Sequence, residues 1–222
     1  MKRIVAQPSI PTDRIVGVAE EGEHPPEVPS RPHMPPEVTA FLEAELKKAS
    51  CFLEYGSGGS TVLAASLNVP RIVSVETDRK FAGEVRAAVQ KLRSKTILHL
   101  ISVNLGPTKE WGVPATFDHY LQWPAYPLRP WEFLREKQVS PDLILVDGRF
   151  RLACFFASLL EARPGTTIIF DDYLLRKSEY RLAETLLEPA KLLGRSAVFV
   201  VPDDIPVREV AHALARYVTH PL

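Results

Sequence analysis

The chain has 222 residues, 45% of them apolar, with Lys+Arg and Asp+Glu both at 27 and a formal net charge of zero. That length suits one sizeable α/β domain rather than two. A neutral chain offers no global field to recruit nucleic acid, and no apolar run approaches the roughly 20 residues that span a bilayer, so neither nucleic acid nor membrane is an expected partner.

The N-terminal MKRIVAQPSIPTDR lacks the long apolar core of a secretory signal. A cytoplasmic location is therefore expected. Residues 1–36 form a proline-rich arm, with Pro8, Pro11, Pro25, Pro26, Pro29, Pro32, Pro35 and Pro36 breaking regular structure. The arm is either a surface segment or a strap around a partner subunit. The domain proper is expected to run over 37–222. It starts with an amphipathic helix over 38–48, whose Val38, Phe41, Leu42 and Leu46 share one face. Strands are then predicted at 51–55, 71–76, 97–103, 141–147, 166–170 and 197–201. Helices are predicted at 60–67, 79–92, 151–161, 179–187 and 207–217. Continuous apolar runs alternating with helices predict a doubly wound, mostly parallel sheet with helices on both faces. Cys51 and Cys154 sit in apolar surroundings and read as buried free thiols.

Residues 105–140 break the rhythm. They carry Trp111, Phe117, Tyr120, Trp123, Tyr126, Trp131 and Phe133, punctuated by Pro107, Pro114, Pro124, Pro127 and Pro130. Such an aromatic insertion either packs on its own domain or forms a substrate or subunit surface. All three tryptophans fall inside it, which favours the substrate or subunit surface, and a homodimer through the insertion or the arm fits that reading.

The densest signal is CFLEYGSGGSTVLAASLNVPRIVSVETD, residues 51–78. An apolar strand ends near Glu54, a turn of Gly56, Ser57, Gly58 and Gly59 follows, and Ser60 opens a helix. The next strand closes on Glu76. Glycines let a ligand approach bare backbone, a helix start offers unpaired N–H groups, and a carboxylate at the second strand end can accept from both ribose hydroxyls. A dinucleotide fingerprint needs a third glycine where Thr61 stands, and Glu54 would repel a pyrophosphate. The carboxylate suits a cofactor with a cationic group.

The run from Glu54 to Ser60 resembles the first motif of class I S-adenosylmethionine-dependent methyltransferases. Leu143-Ile144-Leu145-Val146-Asp147-Gly148 resembles their fourth. The chain is most similar to methyltransferase-like bacterial proteins with a V-D-G-R-[FY]-R segment. The resemblance implies a Rossmann-like fold with strand order 3-2-1-4-5-7-6, the seventh strand antiparallel. It implies S-adenosylmethionine held by Glu54, Gly56, Ser57, Gly58, Ser60, Glu76, Asn104 and Asp147, and a small-molecule methyl acceptor. The final segment reads as a helix with only one clear strand before it, so the last strands are expected to be truncated or rearranged.

Two further groups stand near the ends of the fourth and fifth strands. Asp147, Asp171 and Asp172 could bind Mg²⁺ or Ca²⁺, as in catechol-type O-methyltransferases, or be neutralised by Arg149, Arg151 or Arg176. Arg149 and Arg151 could hold an anionic substrate or pair with those acids. Asp147 is the expected catalytic acid or base, and His119, in the insertion, a second candidate. The alternative function is a non-catalytic, methyltransferase-like binding or assembly module. An NAD-dependent oxidoreductase is a third reading, weakened by Glu54 and Thr61.

Overall fold

Glu54 and its neighbours lie in the middle of a seven-stranded sheet, in a computed structural model that describes residues 27–109 and 112–221. Most of the proline-rich arm, His24 and Trp111 fall outside the described residues.

The alternation read from the sequence is present. Helix α1 (Pro36–Leu46) precedes β1 (Cys51–Tyr55), α2 (Gly59–Ser66), β2 (Arg71–Glu76), α3 (Arg79–Lys91) and β3 (Ile97–Ser102). After the insertion come β4 (Leu143–Val146), α5 (Arg151–Glu161), β5 (Thr167–Phe170) and α6 (Lys177–Leu186). All residues of β1 and β4 are buried, which explains why these strands are unbroken apolar runs. α3 starts at Asp78, whose carboxylate accepts from the backbone N–H of Lys80 (2.7 Å) and Phe81 (3.1 Å). One core packs β1, β4 and β5 against α5 and its neighbours. A second packs Val38, Leu42, Val62 and Leu63 on the opposite face.

The sheet order is β3-β2-β1-β4-β5-β7-β6, with β1 to β5 parallel and β7 antiparallel to β5 and β6. The expectation of truncated or rearranged last strands is therefore corrected. The missing strand is β6 (Lys191–Leu193), three residues joined to β7 (Ser196–Val200) through Gly194 and Arg195. Lys191 and Leu192 are exposed at the sheet edge, so no apolar run marks them. Helix α7 (Val207–Tyr217) follows.

The insertion also differs from expectation. It contains α4 (Ala125–Glu136), with Pro130 inside the helix. An interior proline costs about 3 kcal/mol. Burial of Tyr126, Trp131 and Leu134 offsets that cost. Trp123 and Trp131 belong to the core rather than to an open surface. Each indole N–H is satisfied: Trp131 donates to the Tyr55 hydroxyl (2.8 Å) and Trp123 to the Leu105 carbonyl (3.1 Å). Phe117 and Leu121 remain exposed.

Among the described residues no helix is long and apolar enough to cross a membrane. Cys51 and Cys154 are buried free thiols. Because the chain leaves β1 toward β2 on one side and later adds β4 on the other, the carboxyl ends of β1 and β4 border a crevice.

Candidate functional site

Two turns meet at that crevice. Gly56 has φ +96°, and a Cβ there would lie 2.9 Å from the Cα of Gly148 in the β4–α5 turn. A Cβ on Gly148 would run into the Tyr126 hydroxyl and lie 2.9 Å from the Gly56 nitrogen. Backbone thus packs on backbone, and both positions need glycine. Gly59 is the first residue of α2, and a Cβ there would overlap the Arg31 carbonyl. Gly58 differs: a Cβ there meets nothing within 4 Å. Its face of the turn is open.

Glu54 shapes the turn from beneath. Its carboxylate is fully buried and accepts from the Ser60 hydroxyl (2.6 Å) and from the Thr61 hydroxyl. Thr61 in turn accepts from the Gly58 N–H at 3.0 Å. Burial pushes the Glu54 carboxyl up to about 7, against the pull of these hydroxyls. Ser57 shares a 2.6 Å hydrogen bond with the Ser74 hydroxyl. The side chains of Glu54, Ser57 and Ser60 therefore brace the turn, and its free donors are backbone N–H groups at the start of α2. Thr61, which counts against a dinucleotide, is a structural strut.

Glu76 stands at the end of the adjacent strand. Its Oε1 accepts from the backbone N–H of Thr77 (2.6 Å) and Asp78 (2.9 Å), leaving Oε2 for a ligand. Burial raises its pKa, and hydrogen bonds from Asp78, Thr77 and the Ser57 backbone oppose the rise. Asn104, just past β3, is exposed. Its Oδ1 accepts from the Gly106 N–H (3.0 Å), so its amide NH₂ points to other partners. In the insertion the Lys109 N–H donates to the Val113 carbonyl at 2.7 Å. A Cβ on Gly112 would lie 3.0 Å from the Thr77 hydroxyl and 4.0 Å from Cγ of Arg149, so Gly112 lies near the ends of β2 and β4.

Asp147, Asp171 and Asp172 do converge, with oxygens within 4.8 Å of one another. Two guanidiniums hold them. Arg151, its side chain 6% exposed, binds Asp147 Oδ1 (3.2 Å) and Asp172 Oδ2 (3.0 Å), and donates to the Asp171 carbonyl (2.6 Å). Arg195 binds Asp171 Oδ2 (2.7 Å) and Asp172 Oδ1 (2.7 Å), and donates to the His33 carbonyl (2.9 Å). The Ser196 hydroxyl takes Asp171 Oδ1 at 2.6 Å. Burial raises the Asp171 carboxyl, but Arg195 and Ser196 outweigh it and hold it low. Asp147 is raised by burial and by the Asp171 and Asp172 charges, against Arg151.

As arranged, this donor set does not fit a divalent cation. Both Asp171 oxygens are taken, and an ion would have to displace a guanidinium. Neutralisation by arginine is the arrangement present, with Arg195 in a place the sequence reading did not give it. The signal for Arg195 is its position in the β6–β7 turn, invisible until β6 is recognised. His119 packs its ring on Gly106 and has a buried Nδ1 without a partner. No hydrogen bond joins it to Asp147 among the described residues.

No protein-family model and no curated protein matches the chain. Among solved structures it is similar to a methyltransferase-like protein from Silicibacter pomeroyi, at 36% identity and a TM-score of 0.76. The match covers 86% of this chain and 100% of that one. It also shares its fold with the cofactor-bound Rv0187 from MTB, at 18% identity and a TM-score of 0.52, covering 78% of this chain and 84% of that one.

Proposed function

The chain belongs to the class I S-adenosylmethionine-dependent methyltransferase superfamily, close to the bacterial methyltransferase-like proteins, and from that premise we propose that it binds S-adenosylmethionine and methylates a small-molecule acceptor. The observation that carries the reading is the open face of Gly58 beside Glu76. Bare backbone at the end of one strand and a carboxylate oxygen at the end of its neighbour match a ligand with an amino acid end and a ribose.

Backbone N–H groups around Gly58 would hold the amino acid end. Glu76 Oε2 would accept from the ribose hydroxyls, and Asn104 would face the adenine edge. When bound, S-adenosylmethionine supplies an electrophilic methyl group on a sulfonium whose sulfur keeps the bonding electron pair. The chain's own contribution is alignment, because displacement at a methyl carbon depends chiefly on how nucleophile and methyl face each other. Asp147, its side chain 30% exposed and its pKa raised, is placed to take the proton that the acceptor loses. The non-catalytic module drew on a missing final strand, the proline-rich arm and the aromatic insertion. β6 supplies the strand and Trp123 and Trp131 are buried, so two of these features favour it less, while most of the arm lies outside the described residues.

Equilibrium dialysis with labelled S-adenosylhomocysteine tests the reading. We expect saturable binding that Glu76→Ala weakens about tenfold or more, the loss of a charge-assisted contact from one carboxylate oxygen to the ribose hydroxyls. Affinity unchanged in Glu76→Ala would overturn the assignment of Glu76.

A further inference from the structure

The arginines beside the aspartates divide into two kinds. Arg151 and Arg195 are spent on Asp147, Asp171 and Asp172. Arg149 is not. Two residues beyond Asp147, it forms no ion pair with any carboxylate among the described residues. Its Nε is buried and has no hydrogen-bond partner among the described residues. Burial first, then the nearby charges of Arg151 and Arg176, push its pKa down. A guanidinium drawn out of water beside like charges is unfavourable until a counter-charge arrives.

The surroundings show where that counter-charge would sit. Tyr180 is 1% exposed, and its hydroxyl lies near Arg176 but makes no hydrogen bond within 3.5 Å among the described residues. Arg149, Arg151 and Arg176 all lie close enough to influence it. Arg176 has only a 3.9 Å contact with Glu179, and both side chains are about half open to solvent. A Cβ on Gly112 of the insertion would fall 4.0 Å from Cγ of Arg149 and 3.0 Å from the hydroxyl of Thr77, next to Glu76. Arg149 follows β4, and Arg176 and Tyr180 follow its parallel neighbour β5, so these donors stand beyond the carboxyl ends of two adjacent strands. The turn that aims Arg149 is itself constrained: Phe150 is buried with φ +52°, a left-handed conformation unusual for a bulky residue.

We infer that Arg149, with Arg176 and the Tyr180 hydroxyl, binds a carboxylate or phosphate of the methyl acceptor, so that the substrate is an organic anion. This rests on the methyl-transfer reading for the word acceptor; the anion site itself stands on the unpaired donors. The guanidinium fork takes two anion oxygens, the tyrosine donates to one of them, and the rest of the molecule extends toward Asp147.

The test measures binding of benzoate, phenyl phosphate and neutral benzamide by ligand-observed NMR, on the full chain with and without S-adenosylhomocysteine. An anion is expected to bind about tenfold or more tighter than benzamide. Preference for benzoate or for phenyl phosphate then names the group. Arg149→Gln should abolish the preference while leaving S-adenosylhomocysteine affinity unchanged, and Arg149→Lys should keep part of it. Tyr180→Phe should weaken the anion without loss of thermal stability, because the hydroxyl it removes is unsatisfied in the free protein. This variant keeps the test decisive if Arg149→Gln does not fold. Equal binding of anion and benzamide, or an anion preference unchanged in both Arg149→Gln and Tyr180→Phe, would overturn the inference. S-adenosylhomocysteine binding with no anion preference sinks this inference alone. Anion preference without S-adenosylhomocysteine binding sinks the methyl-transfer reading and leaves the anion site standing.

Discussion

Glu54 braces the glycine turn through Ser60 and Thr61. Fully buried, with no salt bridge among the described residues, its carboxyl is pushed up to about 7 by loss of water. The unfolded chain releases that proton at the ordinary carboxylate pKa of 4.5. Below that value both states are protonated and the group is neutral to folding. As pH rises toward 7 the unfolded state ionises first, and stability falls. Above 7 the penalty levels off at about 3 kcal/mol, from 1.4 kcal/mol per pKa unit. Glu54→Gln removes this titration. Urea unfolding of both proteins from pH 4 to 8 should give stability curves that diverge between 4.5 and 7 in favour of the variant. Parallel curves would show that the Glu54 carboxyl has the same pKa folded and unfolded, and so carries no burial penalty. The sequence marks Glu54 as important through its place before Gly56. It does not reveal that the carboxylate faces Ser60 and Thr61, because that depends on how α2 closes over the turn.

Among the elements, the β6–β7 hairpin carries most of what the sequence concealed. The long apolar strands β1, β2 and β4 and helices α3, α5 and α7 are legible from period and burial. Three exposed or half-buried residues of β6 carry no such period. A proline-interrupted segment does not announce α4 either, since tertiary burial of Trp131 and Tyr126 decides it. Arg195, in the hairpin turn, ties Asp171, Asp172 and the His33 carbonyl together. Removing it leaves the fully buried Asp171 with Ser196 and a bare charge. Arg195→Met is expected to lower unfolding free energy by about 2–4 kcal/mol, less than for a fully enclosed pair because Arg195 is 26% exposed. Adding Asp171→Asn should recover part of that loss, a coupling that denaturant unfolding of the two single variants and the double variant measures. Strictly additive losses would show that the two residues act independently.

At the scale of the whole molecule, strand order decides where chemistry can occur. The path reverses between β1 and β4, so the glycine turn, Glu76, and Asp147 with Arg149 reach one crevice from three separate stretches of chain. The donor side of that crevice is legible in the sequence because it lies within residues 51–78. The acceptor side is assembled from β4, β5, the insertion and the last hairpin, and no single stretch of sequence displays it. In the proposed function the open face of Gly58 receives the methyl donor. Calorimetric titration of S-adenosylhomocysteine into wild type and Gly58→Val tests this, with circular dichroism of each protein alongside. A side chain at position 58 meets nothing in the free protein, so the variant should fold with the same spectrum and lose binding about a hundredfold or more. A folded Gly58→Val protein that binds S-adenosylhomocysteine as tightly as wild type would contradict the claim.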